Sequence, residues 1–510
     1  MRKGKLQREM RTIREIMAGN DPATVRTLLT ARKRAFEISF EELERQFDPK
    51  QHKVFDEGYR KKKVVNVPTN RKDPVTGNTI YKSKKVERVR IAVPLQKVLV
   101  NRAVGFLLGN KVEYKISQLG GNKKADKNQT KLYDAVMKVF HQNKMRYFDK
   151  KLARRVFRCR EAAELWYLPT NEKGQIDLKG KMRVKLLSPV DGDKLYPHYD
   201  DFDRLDGFAR EYVVYDETGL AVRHFDVYDS RFVYQYVDGA ADGGWQLSGG
   251  GPKRHGFSKL PIIYYRVEQA EWEDVQWAIE RVEDLISNWG DTNDYFGTPK
   301  YFVKGKIVGF AEKGEQGSVF QGEKDTNMNV LSWDSSPQSV AGELGQLFNI
   351  IYSCSHSADI SFERMKELGN NTSGAAIRLM LIDPHMNAED KTELFGEMFT
   401  RRCNVVANGI TETGIYERGI PASAAADIEF EPIFKPYMPK NELETLQLIQ
   451  SSTGGQATTS RRRGIELNPI NDDPERVQQE IQQEQDEALE LAAKSMAIGE
   501  SARSAVEQGE

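Results

Sequence analysis

The sequence predicts an α+β protein in which long amphipathic helices follow a region of short strands. Residues 162–236 contain five strand-like runs separated by Asn, Gly and Asp turns, which is typical of an antiparallel sheet. Residues 271–289 carry apolar side chains at spacings of three and four, which indicates a helix with one buried face. From 268 to 410 the patterns predict a helix, a small β insertion, a second helix, a polar loop and a long helix.

The remaining segments fit the same fold class. Residues 66–79 are rich in Pro, Asn and Gly and are predicted to form a loop, and residues 112–116 alternate as a strand. Residues 427–434 form another predicted strand, which we expect to return to the early sheet because a strand needs a partner. Helical periodicity is found in several further segments: 1–47, 90–108, 131–156 and most of 440–507.

Length and charge limit the possible roles of the chain. Its 510 residues leave room for two or more domains, and 39% hydrophobic with 30% charged residues is a globular composition. The formal net charge of +1 hides an uneven distribution. Lys and Arg cluster before residue 90, whereas Asp and Glu cluster in 271–284 and after 472. This asymmetry predicts a charged partner for one surface, with ordinary solvated faces as the alternative.

Cysteine usage and hydropathy bear on the compartment. Cys159, Cys354 and Cys403 have no metal-ligand spacing and are too few for a disulfide framework, which favours folding in a reducing compartment. We expect no signal peptide, because the first residues are charged, and no membrane span, because long apolar runs are missing.

The usual catalytic signatures are missing from the sequence. It contains no phosphate-binding Gly-Lys-Ser/Thr loop, no zinc-type His pair and no Gly-x-Ser-x-Gly motif. One acidic cluster offers oxygen ligands for Ca²⁺ or Mg²⁺ but lacks the spacing of an EF-hand, so solvated turns are the favoured interpretation. We therefore predict no enzyme activity, no catalytic residue, no metal and no cofactor. The cluster consists of Asp191, Asp193, Asp200, Asp201 and Asp203.

A series of motifs in a fixed order resembles the portal proteins of tailed bacteriophages. RIAVP at 90–94 leads to VGFLLGNKVEY at 104–114, which is similar to a wing helix and its following strand, with Lys111 where the pattern often has Pro. SPVDGD at 188–193 resembles a wing turn, and TSGAAI at 372–377 resembles the start of the family's long helix. Residues 446–487, which include the segment 469–484, are similar to the crown.

The resemblance implies a portal fold and a ring. The ring would be a dodecamer at the unique capsid vertex of the virion, assembled in the host cytoplasm, through which double-stranded DNA is packaged and ejected. Its implied partners are the terminase large subunit, a head-completion or adaptor protein, and the major capsid and scaffolding proteins, with no membrane. The implied parts are a wing (1–268), first stem helix (269–297), clip (298–335), second stem helix (336–356), tunnel loop (357–372), long kinked helix with a returning wing strand (373–436), and crown with C-terminal tail (437–510).

Two other classes remain open beside the portal. One is another ring-forming, capsid-associated scaffold or minor head protein; negative-stain images separate it from a portal, which shows a ring with a central channel. The other is a nuclease that uses the acidic cluster, which divalent-dependent cleavage of DNA would reveal.

The acidic face of the first stem helix is the predicted wall of the DNA channel. Lys and Arg on such a wall would bind phosphates and release counterions, which would hold the DNA, whereas carboxylates repel it. The alternative is an ordinary exposed helix face. The residues are Glu271, Glu273, Asp274, Glu280, Glu283 and Asp284.

Two further sites follow from the resemblance. In the tunnel loop, Phe362 and Met365 are predicted to touch passing DNA, while Arg364 and Lys366 either contact phosphates or pair with neighbouring Glu residues. Pro384 is predicted to kink the long helix, because a mid-helix Pro removes one backbone hydrogen bond and clashes with the preceding turn.

Overall fold

The computed structural model divides into two compact units, Met1–Asn370 with Leu379–Tyr437, and Asn371–Arg378 with Met438–Glu510. It combines helices with several antiparallel sheets, as predicted for an α+β protein. The residues that it describes are 12–18, 21–117, 126–171, 175–239, 244–296, 300–304, 307–309, 321–322, 327–331, 337–359, 379–437, 442–454, 457–471 and 473–507.

The helices and strands of the first unit alternate in groups. The helices are α1 Ile13–Met17, α2 Pro22–Arg32, α3 Phe40–Phe47, α4 Leu95–Leu108, α5 Lys127–Gln142, α6 Met145–Cys159, α7 Gln276–Phe296, α8 Pro337–Cys354, α9 Ile382–Thr413 and α10 Ala422–Asp427. The strands are β1 Lys63–Lys72, β2 Thr79–Val86, β3 Glu113–Ile116, β4 Glu161–Tyr167, β5 Arg183–Leu187, β6 Lys194–Tyr199, β7 Leu205–Tyr215, β8 Ala221–Tyr228, β9 Phe232–Gly239, β10 Gly244–Leu247, β11 Lys253–Arg254, β12 Ile262–Arg266, β13 Lys300–Lys304, β14 Ile307–Gly309, β15 Gln321–Gly322, β16 Asn327–Leu331 and β17 Phe430–Ile433.

The main sheet is the antiparallel sheet predicted from the strand-like runs. Its order is β10-β9-β8-β7-β6, with β11 on β9. One face is covered by α1 and α2, whose Ile16 and Leu29 are buried against Phe225. Phe208 on the other face packs with Ile262 of a second sheet, β12-β4-β5. The core therefore runs between the two sheets and under the first helices.

The returning strand predicted at 427–434 is confirmed. It is β17, which pairs antiparallel with β3 from Phe430 opposite Ile116 to Ile433 opposite Glu113. The pair forms a two-stranded sheet of its own rather than an edge of the main sheet. Thr400 of α9 donates its hydroxyl to the Phe430 carbonyl, so the long helix supports the pair.

The prediction of a loop at 66–79 is wrong. Most of it belongs to the hairpin of β1 and β2, which pair from Lys63 opposite Val86 to Lys72 opposite Thr79. Pro68 and the surrounding polar residues concealed the alternation, and the register shifts after Pro68, which accommodates a residue without an N–H. Asp73 accepts from the backbone N–H groups of Val75 and Thr76 and so builds the turn.

The helix–insertion–helix pattern after residue 268 is confirmed in the described residues. The 3₁₀ turn Glu273–Val275 leads into α7, and α8 begins at Pro337, as expected for Pro at the first helical position. Between them β13 pairs with β16 and β14 with β15, both antiparallel. These pairs are the small β insertion that the sequence predicted.

The predicted kink site lies in the first turn of α9. Pro384 is the third residue of this helix, where a missing N–H costs little. Residues 379–380 are also helical, and Leu381 separates them from α9 with φ −95° and ψ 11°. The break therefore falls three residues before Pro384, and the part of the predicted helix before 379 lies outside the described residues.

The second unit is helical in its described part. It contains α11 Glu442–Thr453, α12 Arg461–Leu467 and α13 Pro474–Glu507. Ser460 caps α12 by accepting from the N–H of Arg463. Buried Gly464 lies where α12 meets the preceding helix, and a Cβ there would come within 2.8 Å of Thr453 Cγ2. The helices predicted for this region are thus confirmed.

Candidate functional site

Glu283, at the centre of the predicted acidic face, is buried inside the protein. Its side chain is 1% exposed, and its Oε1 accepts from His52 Nδ1 at 2.6 Å and from the backbone N–H of Val93 at 2.8 Å. An ionised carboxylate only accepts hydrogen bonds, so His52 is the donor here. Glu283 thus holds two chain segments that are distant in sequence against α7.

The same side of α7 makes further contacts with residues 53–60. Lys53 Nζ lies 2.9 Å from Glu280 Oε2, and the Tyr59 hydroxyl donates to Asp284 Oδ2 at 2.5 Å. This hydrogen bond raises the pKa of Tyr59. Buried Arg60 donates to Asn288 and forms an ion pair with Asp291; we call this set of contacts, together with His52–Glu283, the α7 clasp.

The other predicted channel residues lie near the start of α7. Lys391 of α9 forms an ion pair with Glu271 at 2.9 Å, and Arg160 with Glu273 at 3.4 Å. Asp274 is exposed and accepts from Gln269 at 3.1 Å. All six carboxylates therefore have protein partners, which reduces the charge they can offer to a ligand. Their role in a DNA channel stays a prediction.

A buried ionic cluster, not anticipated from the sequence, lies where α6, β4 and α9 meet. Arg402 of α9 donates through Nε to both carboxylate oxygens of Glu164, at 3.1 and 3.0 Å. Its Nη2 lies 2.8 Å from Asp149 Oδ1, and all three side chains are at most 6% exposed. Glu164 also accepts from Tyr265 and Trp166, so its oxygens are well satisfied.

The sequence does contain a signal for this cluster. Phe395, Phe399, Cys403 and Val406 form the buried stripe of α9, and Arg402 lies between two of them, with its guanidinium 3.9 Å from the Phe399 ring centroid. A cation inside an apolar stripe requires buried anionic partners. Helical periodicity alone does not identify those partners, since Glu164 is 238 residues away.

Asp149 is the less favourable carboxylate of this cluster. Burial raises its pKa to about 6, a rise that nearby Arg402 opposes and Glu164 reinforces. Because this pKa lies above the ordinary value of 3.8, the folded state favours the protonated carboxyl. Ionisation of Asp149 therefore lowers stability as pH rises between these two values, and the loss is complete above the higher one.

We expect Asp149→Asn to stabilise the protein at about pH 8 by roughly 1–3 kcal/mol and to have little effect near pH 4. The amide removes the surplus negative charge and leaves Arg402 paired with Glu164. Urea unfolding at both pH values measures the difference. The exposed Asp134→Asn variant is the control, and equal gains at both pH values would contradict the prediction.

The remaining predicted sites divide between described and undescribed residues. Phe362, Arg364, Met365 and Lys366 of the tunnel loop lie outside the described residues. In the acidic cluster, Asp193 forms an ion pair with Arg210 at 2.7 Å. Asp191 pairs with Arg155, Asp200 with Arg204, and Asp201 and Asp203 are exposed.

The described residues contain neither a candidate metal site nor a candidate membrane-spanning helix. No group of three or more His, Cys, Asp or Glu side chains in the described ranges is arranged to hold a metal ion. Among the helices described, none has the length and apolar character needed to cross a membrane.

The first sheets, α7, the β insertion, α8 and α9 follow one another in the order that the sequence predicted, and comparison with protein families identifies the class as phage portal proteins. The model of the family described as "Phage portal protein, SPP1 Gp6-like" matches residues 39–491, which is most of the chain. The chain belongs to this SPP1 Gp6-like family of phage portal proteins. Its membership implies a phage portal role and a place in the virion capsid. No curated protein matches significantly.

Proposed function

We propose that this chain assembles into a closed dodecameric ring at the unique capsid vertex and forms the channel for DNA packaging and ejection. The family match over 39–491 carries this proposal, because it spans α3 through most of α13. The proposed partners are the terminase large subunit and later a head-completion protein at the clip, with capsid and scaffolding proteins around the ring. We propose no enzymatic activity for the chain itself.

Exposed apolar side chains support self-assembly. On α7, Trp277 is 58% exposed and Tyr295 is 52% exposed, and at the start of α9 Ile382 and Met386 are 50% and 61% exposed. Packing of identical copies against one another would bury such apolar surface, which favours association. Contacts between different surfaces of identical copies give rings when the rotation closes.

Ring formation is tested by light scattering and negative-stain micrographs of the purified protein. We expect closed rings with a central channel, and Trp277→Ser is expected to shift the population strongly toward smaller species. Tyr147→Ser is the matched control, because Tyr147 on α6 is similarly exposed at 64%. A compact monomer from the wild-type protein at micromolar concentration, with no rings in micrographs, would contradict the proposal.

The tunnel loop is proposed to contact DNA and retain it in the channel. Deleting residues 362–369 is expected to leave ring assembly intact while reducing the number of stably filled heads. A complementation assay counts filled heads, and micrographs check the rings in parallel. Wild-type numbers of filled heads from the deletion variant would show that the loop neither contacts nor gates DNA.

The second candidate function is another ring-forming capsid scaffold. The same purified protein distinguishes this function from that of a portal. A scaffold ring would support head assembly without binding terminase. If the chain were such a scaffold, the wild-type protein would not bind terminase. Replacing residues 298–335 with a Gly-Ser linker would therefore cause no loss of terminase binding.

A further inference from the structure

The hairpin of β1 and β2 is the most basic surface of the described chain. Residues 61–88 contain nine Lys and Arg but only Asp73 and Glu87 as acids. Asp73 is used in the turn, and Glu87 forms an ion pair with Lys62 at 2.5 Å. Within the described residues, the side chains of Lys82, Lys84 and Lys85 have no carboxylate partner. Their positive charge is therefore uncompensated.

The register of the hairpin brings these lysines to its outer surface. Each lies directly opposite a valine, in the pairs Lys85–Val64, Lys84–Val65 and Lys82–Val67. The aliphatic stem of a Lys can cover the opposing Val while its ammonium group extends into water. The valines supply strand propensity, and Val64 and Val67 remain 60% and 42% exposed, so the hairpin presents ammonium groups beside exposed apolar side chains.

The base of the hairpin is fixed to the end of α7. The Val89 N–H donates to Asp291 Oδ1 at 2.8 Å, and Arg60 binds Asp291 Oδ2 on the other side. Lys63 Nζ lies 5.2 Å from the Tyr295 ring centroid. Two chain segments therefore anchor the ribbon at its root, while both of its strands remain exposed.

We propose that the β1–β2 hairpin binds the phosphate backbone of double-stranded DNA without regard to sequence. Lysines on one face of a strand recur about every 7 Å, as Lys82 and Lys84 do, and DNA offers a phosphate charge per strand for about every 3.4 Å of its axis. A two-stranded ribbon also fits the width of the major groove. The choice of duplex DNA among polyanions rests on the proposed portal function.

A few lysines on a hairpin neutralise fewer phosphates than a whole wall of cations would, so such a contact is compatible with a moving duplex. Binding through phosphate charge alone is salt-dependent and allows a protein to slide along DNA, since every position offers the same charges. The ammonium group of lysine is a point charge on a flexible stem, and it does not form a bidentate pair with a phosphate. The carboxylates of α7, in contrast, have protein partners, so the hairpin and the helix have different roles toward DNA.

The test measures the binding of full-length protein to a fluorescein-labelled duplex of mixed sequence by anisotropy over a series of NaCl concentrations. The variant is Lys82→Gln/Lys84→Gln/Lys85→Gln. Lys82 and Lys84 share one face of the strand and Lys85 lies on the other, so the loss of two phosphate contacts on the face that meets the duplex is expected to reduce the slope of log K against log salt by about 1.8, that is, by about 0.9 for each contact. The matched control is Lys127→Gln/Lys151→Gln/Lys181→Gln, which removes the same charge from other exposed positions and is expected to keep the slope.

A second variant separates charge from folding. Lys→Arg at 82, 84 and 85 keeps the charge and is expected to keep the slope, while circular dichroism verifies that all variants are folded. An equal loss of slope in the control variant, or no loss in the hairpin variant, would overturn the proposal. It would also be overturned if the hairpin variant lost self-association while DNA binding stayed unchanged, because the surface would then serve another copy of the chain.

The result is independent of the ring proposal. A wild-type protein that forms rings but does not bind the duplex at low salt would overturn the hairpin inference and leave the ring proposal intact. A protein that binds DNA through the hairpin but forms no rings would support the hairpin inference and contradict the ring proposal.

Discussion

Replacing Arg402 with Met is expected to lower the free energy of unfolding of the first unit by about 3–5 kcal/mol. The guanidinium is fully buried and is the cationic partner of both Glu164 and Asp149. Its removal leaves two buried carboxylates without their cation, and the remaining donors, Tyr265 and Trp166, both serve Glu164. The structure must then accept either buried charge or proton uptake.

Urea unfolding followed by tryptophan fluorescence measures this loss, since buried Trp166 belongs to the cluster. The control is the uncharged set Arg402→Met, Glu164→Gln and Asp149→Asn. Replacing a whole buried ionic group is often close to neutral, so this triple variant is expected to recover most of the stability. A loss below about 1 kcal/mol in the single variant would contradict the assignment of Arg402 as the central cation of the core.

The cluster also explains why the long helix is fixed in the first unit. Arg402 connects α9 to β4 and α6, and its Nη1 donates to the Tyr114 hydroxyl of β3 at 3.3 Å. Phe395 of the same helix packs against Phe157 of α6, with ring centroids 5.8 Å apart. One helix thus joins the strand pair, the second sheet and α6.

The sequence predicted those elements whose signals are local. The periodicity of α7, Pro337 at the start of α8 and the alternation of the strands around Phe225 each depend on neighbouring residues, and each is found in the structure. The return of β17 to β3 was also predictable, because a lone strand must find a partner. Its separation from the main sheet was not, since pairing rules do not specify which edge is used.

The acidic side of α7 shows what a helical pattern leaves undetermined. Its carboxylates have the spacing of a solvated face, and from the sequence they were predicted to line a DNA channel. His52, the partner of Glu283, is 231 residues distant, so no local pattern could associate the two. The clustering of Lys and Arg before residue 90 predicted only a charged partner for one surface. Charge patterns along a helix predict that partners exist, and tertiary structure decides which ones.

Glu283→Ala is the variant that separates the two roles of the acidic helix. We expect it to lower the free energy of unfolding by about 3–5 kcal/mol, because His52 and the Val93 N–H would remain buried without their acceptor. Asp274→Ala removes the same charge from an exposed position in the 3₁₀ turn that precedes α7. This variant is expected to change the free energy of unfolding by less than about 0.5 kcal/mol. Thermal and urea unfolding of both variants give the comparison.

The same pair of variants also addresses the channel. If the acidic face repels DNA, loss of exposed Asp274 should slow or retain DNA in transit, whereas loss of buried Glu283 should act through the α7 clasp and reduce the yield of folded rings. Filled heads per assembled ring, counted by complementation, distinguish these effects. Glu283→Gln keeps one acceptor oxygen for His52 and is expected to restore part of the stability but not the charge. A stable Glu283→Ala ring with altered DNA retention would instead place this carboxylate on the channel wall.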